Sequence, residues 1–241
     1  AASFVARDVF EFMLNETYTG ITTGTARAVI QSAFDLSDLP TNFRASLASE
    51  LDAVTVRMPD AQHTAAEVVQ MCANAARCVI YQDRDGVLHI EPLDTTPEDY
   101  AISAFLSYAH PEVELSKPLK NVSVAYGDNT YVLDVASSGE TQTVSNPLVI
   151  TNAVAENIAV WVRDMLKRRT VVTGEFRANP CLDVFDVVAV ESRYGLIAPV
   201  VITDIKYSYS GAFRASYTGR EIEGDFGAVL DDFTLDEDVL S

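Results

Sequence analysis

The apolar positions change period once between Thr64 and Pro92, TAAEVVQMCANAARCVIYQDRDGVLHIEP. Val68, Val69, Met71, Cys72, Ala75 and Ala76 recur at helical spacing, so one face of this stretch is apolar. Thr64, with Glu67 three residues on, has the form of a capping box. The helix is expected to stop near Arg77. Cys78–Tyr81 and Val87–Ile90 are then β-favouring runs on either side of Asp85-Gly86, a tight-turn dipeptide that signals a hairpin. Pro92 ends the return strand. The unit is one capped helix feeding one hairpin.

Around it the pattern alternates between helical and extended. Residues 1–46 read as helical: Ser3 can cap a helix carrying Val5, Val9, Phe10, Met13 and Leu14. The polar loop TYTGITTGT precedes a second short helix with Ala26, Val29, Ile30, Ala33 and Phe34. Residues 53–59 form a β-like run, and 94–117 are less regular, with TTPEDY as the start of a helical turn. From Asn121 the texture is β, with NVSVAYG and TYVLDVA joined by a hairpin loop at Gly127-Asp128-Asn129 and a further extended run in TQTVSNPLVI. A helix from Thr151 to Arg169 interrupts the strands. Val154, Ile158, Trp161, Val162, Met165 and Leu166 form its stripe, and Lys167, Arg168 and Arg169 sit at its end, where cations favour the helix dipole. Strands resume over 171–176, 184–191, 197–207 and 212–218. Short strands separated by turns predict a sandwich or barrel with one inserted helix.

The expected class is therefore α+β: a helix-hairpin domain over 1–117, a tube-like antiparallel β-barrel or sandwich over 118–220 with the helix 151–169 inserted, and an acidic C-terminal tail over 221–241. Residues 221–241 hold eight acids and no Lys or Arg. This segment is either a solvated tail, which composition favours, or a docking strip with Phe226, Leu230, Phe233 and Leu235 as partner contacts.

Charge and chemistry narrow the function. The net charge of −18 is the wrong sign for binding nucleic acid by neutralising phosphates. No apolar run reaches the roughly 18–20 residues of a membrane span. Cys72, Cys78 and Cys181 make no even disulfide set and no redox or zinc spacing, so free thiols in a reducing compartment are expected. His63, His89 and His110 fall in three different elements without metal spacing. Asp83-Arg84-Asp85-Gly86 begins like a calcium loop but lacks its later ligands, so Asp83 and Asp85 read as turn residues. No phosphate loop or nucleophile elbow appears, and nothing selects a carboxylate pair for glycoside hydrolysis. The expectation is a non-enzyme with no cofactor, no metal and no catalytic residue. Its notable residues are structural: Val154, Ile158, Trp161, Val162 and Leu166 as the core stripe, and Thr64, Glu67, Asp85 and Gly86 as cap and turn.

In order and spacing these motifs resemble phage tail hub proteins, the baseplate hub and tail-tip proteins related to the structural portion of the tail-associated lysin. TAAEVVQMCANAARC before a strand, DRDG and a strand ending in EP is one shared segment. SNPLVITNAVAENIAVWVRDMLKRR is similar to their NP followed by a long helix with a Trp and a basic end. RANPCLDVFDVVAVES resembles their Pro-Leu-Gly-Asp-Val turn and strand, and VITDIKYSYSGAFRASYTGR their final hairpin. The likeness runs over about residues 4 to 220. It departs at Phe185, where the family has Gly before the Asp of the turn. It also lacks the family's preceding β domain, which implies a fragment or a shortened hub. The resemblance implies a homotrimeric ring in the virion, at tail tip or baseplate, made in the host cytoplasm. That ring closes the tail tube, surrounds an acidic channel through which DNA passes, and meets tail tube or distal tail, tape measure and fibre or tip proteins. The alternatives are a tail-associated cell-wall hydrolase, or a glycan- or receptor-binding module using Tyr207, Tyr209 and Phe213.

Overall fold

A computed structural model describes residues 9–96, 100–191 and 197–222. In chain order they form α1 (Val9–Leu14), β1 (Thr23–Thr25), α2 (Ala26–Leu36), β2 (Arg44–Leu47), β3 (Thr55–Arg57), α3 (Ala65–Ala75), β4 (Val79–Gln82), β5 (Val87–Glu91), β6 (Ala101–Ile102), β7 (Glu112–Leu115), β8 (Leu119–Tyr126), β9 (Asn129–Asp134), β10 (Glu140–Ser145), α4 (Asn152–Leu166), β11 (Thr170–Arg177), β12 (Val187–Glu191), β13 (Ile197–Tyr209) and β14 (Phe213–Glu221). The class is α+β. The expected cap at Ser3 with Val5, and residues 97–99 of the expected turn at 95–100, lie outside the described residues.

The chain forms two compact units, each from two segments: Ala1–Leu93 with Leu119–Asp164, and Asp94–Pro118 with Met165–Ser241. This grouping differs from a linear division at 117 and 220. The strands of 119–145 pair among themselves and tie back to α3, so they belong with the N-terminal segment.

In the first unit α2 and α3 pack together. Thr25 caps α2 by accepting from the Ala28 N–H at 3.2 Å. Ala26, Val29, Ile30 and Ala33 then fall on one buried stripe. Thr64 and Glu67 form the full capping box of α3, with the Glu67 N–H on Thr64 Oγ1 at 3.2 Å and the Thr64 N–H on Glu67 Oε2 at 2.9 Å. The face of α3 is mostly small (Ala65, Ala66, Val68, Val69, Cys72, Ala73 and Ala75 are buried), which lets its neighbours approach closely. The helix ends in a Schellman motif: Cys78 N–H reaches the Ala73 carbonyl at 2.9 Å, and Arg77 N–H the Asn74 carbonyl at 3.0 Å. Arg77 takes the left-handed position with φ of 61°. β4 and β5 form the expected hairpin, and β2 adds to β5 in parallel, a pairing between distant segments that no local pattern announces. β1 pairs with β3 where a loop is expected before α2.

The second sheet of this unit has the order β10-β8-β9. β8 and β9 are the expected hairpin. The chain leaves β9 beside the start of β8, where the Lys120 carbonyl accepts the N–H groups of Val135 and Ala136 at 2.8 and 3.0 Å. It returns on the other side as β10, parallel to β8. α4 is shorter than expected and ends at Leu166, so Lys167, Arg168 and Arg169 follow the helix.

The second unit is a six-stranded sheet, β6-β12-β13-β14-β11-β7. Alternate residues of its strands fill one core: Ile102, Val172, Phe176, Val188, Val190, Ala198, Val200, Ile202, Ala215 and Tyr217. Tyr217 lies across Gly174, its partner in the ladder, and a Cβ at Gly174 would stand 2.8 Å from the Tyr217 ring. The barrel arm of the expectation is corrected here: among the described residues no sheet closes, and this one ends in the short strands β6 and β7. The antiparallel expectation holds for β11–β14 and fails at β6–β12, which is parallel, as are β2–β5 and β8–β10. The turn into β12 spans Asp183–Asp186, and its third residue, Phe185, has φ of 77°. This is the conformation that favours glycine, and the resemblance to tail hub proteins leads one to expect glycine here.

Candidate functional site

The Asp83–Gly86 turn is the first place where charged groups converge. Asp83 Oδ1 accepts the Val87 N–H at 2.8 Å, and Asp83 Oδ2 lies 2.9 Å from His89 Nε2. The His89 contact first, and the Val87 N–H second, hold the Asp83 carboxyl below its ordinary range. His89 stacks on Tyr81 with ring centroids 4.9 Å apart, and the Tyr81 hydroxyl donates to Glu91 at 2.6 Å. Gly86 takes φ of 75°, and the Asp85 carbonyl accepts from Arg44 at 2.6 Å. Asp83 thus spends its oxygens on the hairpin itself. A shallow groove of about 510 Å³ runs beside the turn, lined by Phe12, Phe43, Arg44, Gln82 and Asp85 among others.

The thiols are placed to pack. Burial pushes Cys72 up to about 12 and Cys78 up to about 11, far from a nucleophile's range at neutral pH. Cys181 is exposed. Among the described residues no three His, Cys, Asp or Glu side chains gather as metal ligands would, and no helix is long and apolar enough to cross a membrane.

On α4, Ile158 is fully buried, while Val154, Trp161, Val162 and Leu166 are half-buried. Ala155 and Ala159 are buried beside Ile158, so the innermost line of the helix is narrower and smaller than the stripe of large residues. Phe226, Leu230, Phe233 and Leu235 lie outside the described residues.

Sequence reasoning missed Asn146, the Asn of the NP dipeptide. It is fully buried. Its amide donates to the Met71 carbonyl at 2.8 Å and to Asn74 Oδ1 at 2.9 Å, and its Oδ1 accepts the Leu148 N–H at 3.2 Å. One side chain therefore holds the last turn of α3 to the segment that leads into α4. A lone polar residue between a strand and a proline was the available signal.

A second surface lies at the β13–β14 hairpin of the second unit. Tyr207 and Phe213 stack with centroids 5.5 Å apart, and the Tyr207 hydroxyl donates to the Leu182 carbonyl at 2.5 Å, with the Asn179 carbonyl at 3.1 Å. Arg214 lies over the Tyr108 ring at 4.0 Å and pairs with Glu175 at 3.2 Å. Tyr209 is 78% exposed and Phe105 is 90% exposed. A groove of about 590 Å³ beside them is lined by Phe105, Tyr108, Arg177, Gly211 and Phe213 among others. Its chemistry is aromatic and cationic, suited to contact.

No family model and no curated protein sequence matches the chain. Solved structures do. The tail protein from Neisseria meningitidis MC58 aligns with a TM-score of 0.69 at 12% identity, over 90% of this chain and 73% of that one. The 43 kDa tail protein of prophage MuSo2 from Shewanella oneidensis aligns with a TM-score of 0.66 at 12% identity, over 89% and 72%. A protein in the virion of a native gene transfer agent particle aligns with a TM-score of 0.60 at 16% identity, over 84% of this chain and 48% of that one. The resemblance read from the motifs and the likeness of the structure agree, and the chain has the fold of phage and prophage tail proteins.

Proposed function

We propose that the chain is a structural component of a phage tail or a phage-like particle and acts there as a hub. In this reading copies of the chain form a homotrimeric ring that closes the tail tube, borders the path of DNA and anchors tip or fibre proteins. The observation that carries it is a fold shared with a tail protein over 90% of the chain. The local chemistry agrees, because the convergent groups hold structure: Asp83 clasps its own hairpin and Asn146 joins two elements. The chain then carries no reaction of its own. A net charge of −18 supplies an acidic wall that repels passing DNA. Native mass spectrometry of the full chain tests the ring: a trimer is expected, and a monomer at all micromolar concentrations overturns it. A map of the assembled ring with a positive channel overturns the acidic wall.

The exposed Tyr209 and Phe105 favour one second reading, a contact surface for a glycan or receptor at the outer hairpin. Binding on a glycan array that is lost in Tyr209→Ala selects it.

A further inference from the structure

Positive charge gathers at one end of the six-stranded sheet, where β7 runs out, β11 begins and β14 ends. The Ser116 N–H and hydroxyl donate to the Arg169 carbonyl at 2.8 and 2.9 Å, and Arg169 Nε donates back to the Ser116 carbonyl at 3.0 Å. Arg220 Nη1 donates to the Arg168 carbonyl at 2.9 Å. These bonds bring Lys117, Lys167, Arg168, Arg169 and Arg220 to one place. Lys117 and Lys167 are exposed. Arg168 Nη1 is buried without a hydrogen-bond partner. The arginines that do bond here hold neutral carbonyls, so those bonds leave their positive charge uncancelled. The carboxylates set near them are fewer than the five cations: Glu114, across Val171 from Arg220, Glu221, next to Arg220 in β14, and Asp164, three residues before Lys167. In a chain with net charge −18 this end is a local excess of the opposite sign.

The chain carries a matching segment. Residues 223–241 contain Glu223, Asp225, Asp231, Asp232, Asp236, Glu237 and Asp238, no Lys or Arg, and the apolar Phe226, Leu230, Phe233 and Leu235. The segment begins three residues after Arg220, so it is tethered at the cationic end itself. A short tether gives an effective concentration on the order of millimolar, which lets weak pairs hold. We propose that the acidic C-terminal segment of this chain docks on the cationic end formed by Lys117, Lys167, Arg168, Arg169 and Arg220, in the same chain or in a neighbouring copy. This goes beyond the hub reading and does not depend on it. An outside polyanion such as DNA meets the repulsion of the whole chain and competes with a tethered ligand.

The test is zero-length cross-linking of the full chain with a carbodiimide, which joins an amine to a carboxylate only when they touch. Links from Lys117 and Lys167 to residues 223–241 are expected at least about fivefold above those from Lys206, as for pairs differing by about 1 kcal/mol. They should fall several-fold in about 0.5 M NaCl, where screening shortens to a few ångströms. Arg168→Glu leaves both lysines in place and should lower the links about fivefold with an unchanged circular dichroism spectrum. The salt series on the unaltered chain carries the test if that variant does not fold. Mixing ¹⁴N- and ¹⁵N-labelled chains separates links within a chain from links between copies, and either supports docking. Links no more frequent than at Lys206, or insensitive to both salt and Arg168→Glu, overturn the proposal. So does a DNA duplex retained by the full chain and released by Arg168→Glu, because the cluster is then open to outside phosphate. A failed trimer test with these links intact would remove the hub reading alone.

Discussion

Arg77→Gly should stabilise the first unit. Arg77 closes the Schellman motif of α3 with φ of 61°, and its side chain is exposed. The left-handed conformation costs an L-residue about 1–2 kcal/mol, through the approach of Cβ to the backbone. Glycine removes that contact but has more freedom in the unfolded chain, which returns about 0.4–1 kcal/mol. No buried side chain is lost, and the capping bonds of Arg77 and Cys78 are made by the backbone and survive the change. The expected net gain is about 0.5–1 kcal/mol. Arg77→Ala keeps Cβ and should lie within about 0.5 kcal/mol of the parent. Trp161 is the only tryptophan and belongs to the first unit, so its fluorescence follows that unit in urea. With a slope of about 2 kcal/mol/M, the glycine midpoint should rise by about 0.2–0.5 M at unchanged slope. A glycine variant less stable than the alanine variant would show that residue 77 is not held left-handed, and the account of the helix end would fail.

Other perturbations test other joints. Asn146→Ala removes the bonds to the Met71 carbonyl and Asn74 Oδ1, takes from the Leu148 N–H its side-chain acceptor, and should cost about 1–3 kcal/mol in the same urea assay; a loss below about 0.5 kcal/mol would contradict its role as a tie. At position 185, with φ of 77°, Phe185→Gly should be more stable than Phe185→Ala, the reverse of the order at an ordinary strand position; thermal denaturation of both decides the sign. Asp83 has a lowered carboxyl pKa in the folded chain, so its contribution is present above the unfolded value of about 3.9 and is lost as pH falls through the folded one. The stability gap between the parent and Asp83→Asn should therefore close on acidification, and a gap that stays constant with pH would refute the clasp. Trp161→Ala should cost less than the roughly 3–5 kcal/mol of a fully buried aromatic, about half of it, because Trp161 is half-buried; an unchanged midpoint by circular dichroism would show that it packs on nothing.

What could be read from the sequence was local in the chain. The capping box at Thr64 and the Asp85-Gly86 turn each lie within a few residues, and on the expected stripe of α3 Val68, Val69, Cys72 and Ala75 are buried while Met71 is half-buried. The end of α4 is not legible in the sequence, because apolar spacing continues towards the basic run while the helix stops at Leu166. The parallel pairings β2–β5 and β8–β10 join strands whose own patterns name no partner, so the division into two interleaved units could not be read. Phe185 shows a different limit. Its residue type argues against a left-handed turn, yet the ladder overrides that preference: the Phe185 N–H donates to the Ile202 carbonyl at 2.8 Å, and the Ile202 N–H to the Asp186 carbonyl at 2.9 Å. The cationic end combines both limits. Lys117, the 167–169 run and Arg220 come from three separate segments, and only the 167–169 run reads as basic along the chain. These residues directly follow the last turn of α4 rather than forming it. The same three residues, freed from the helix, stand where β7, β11 and β14 meet, and there they become a surface with a sign opposite to that of the whole chain.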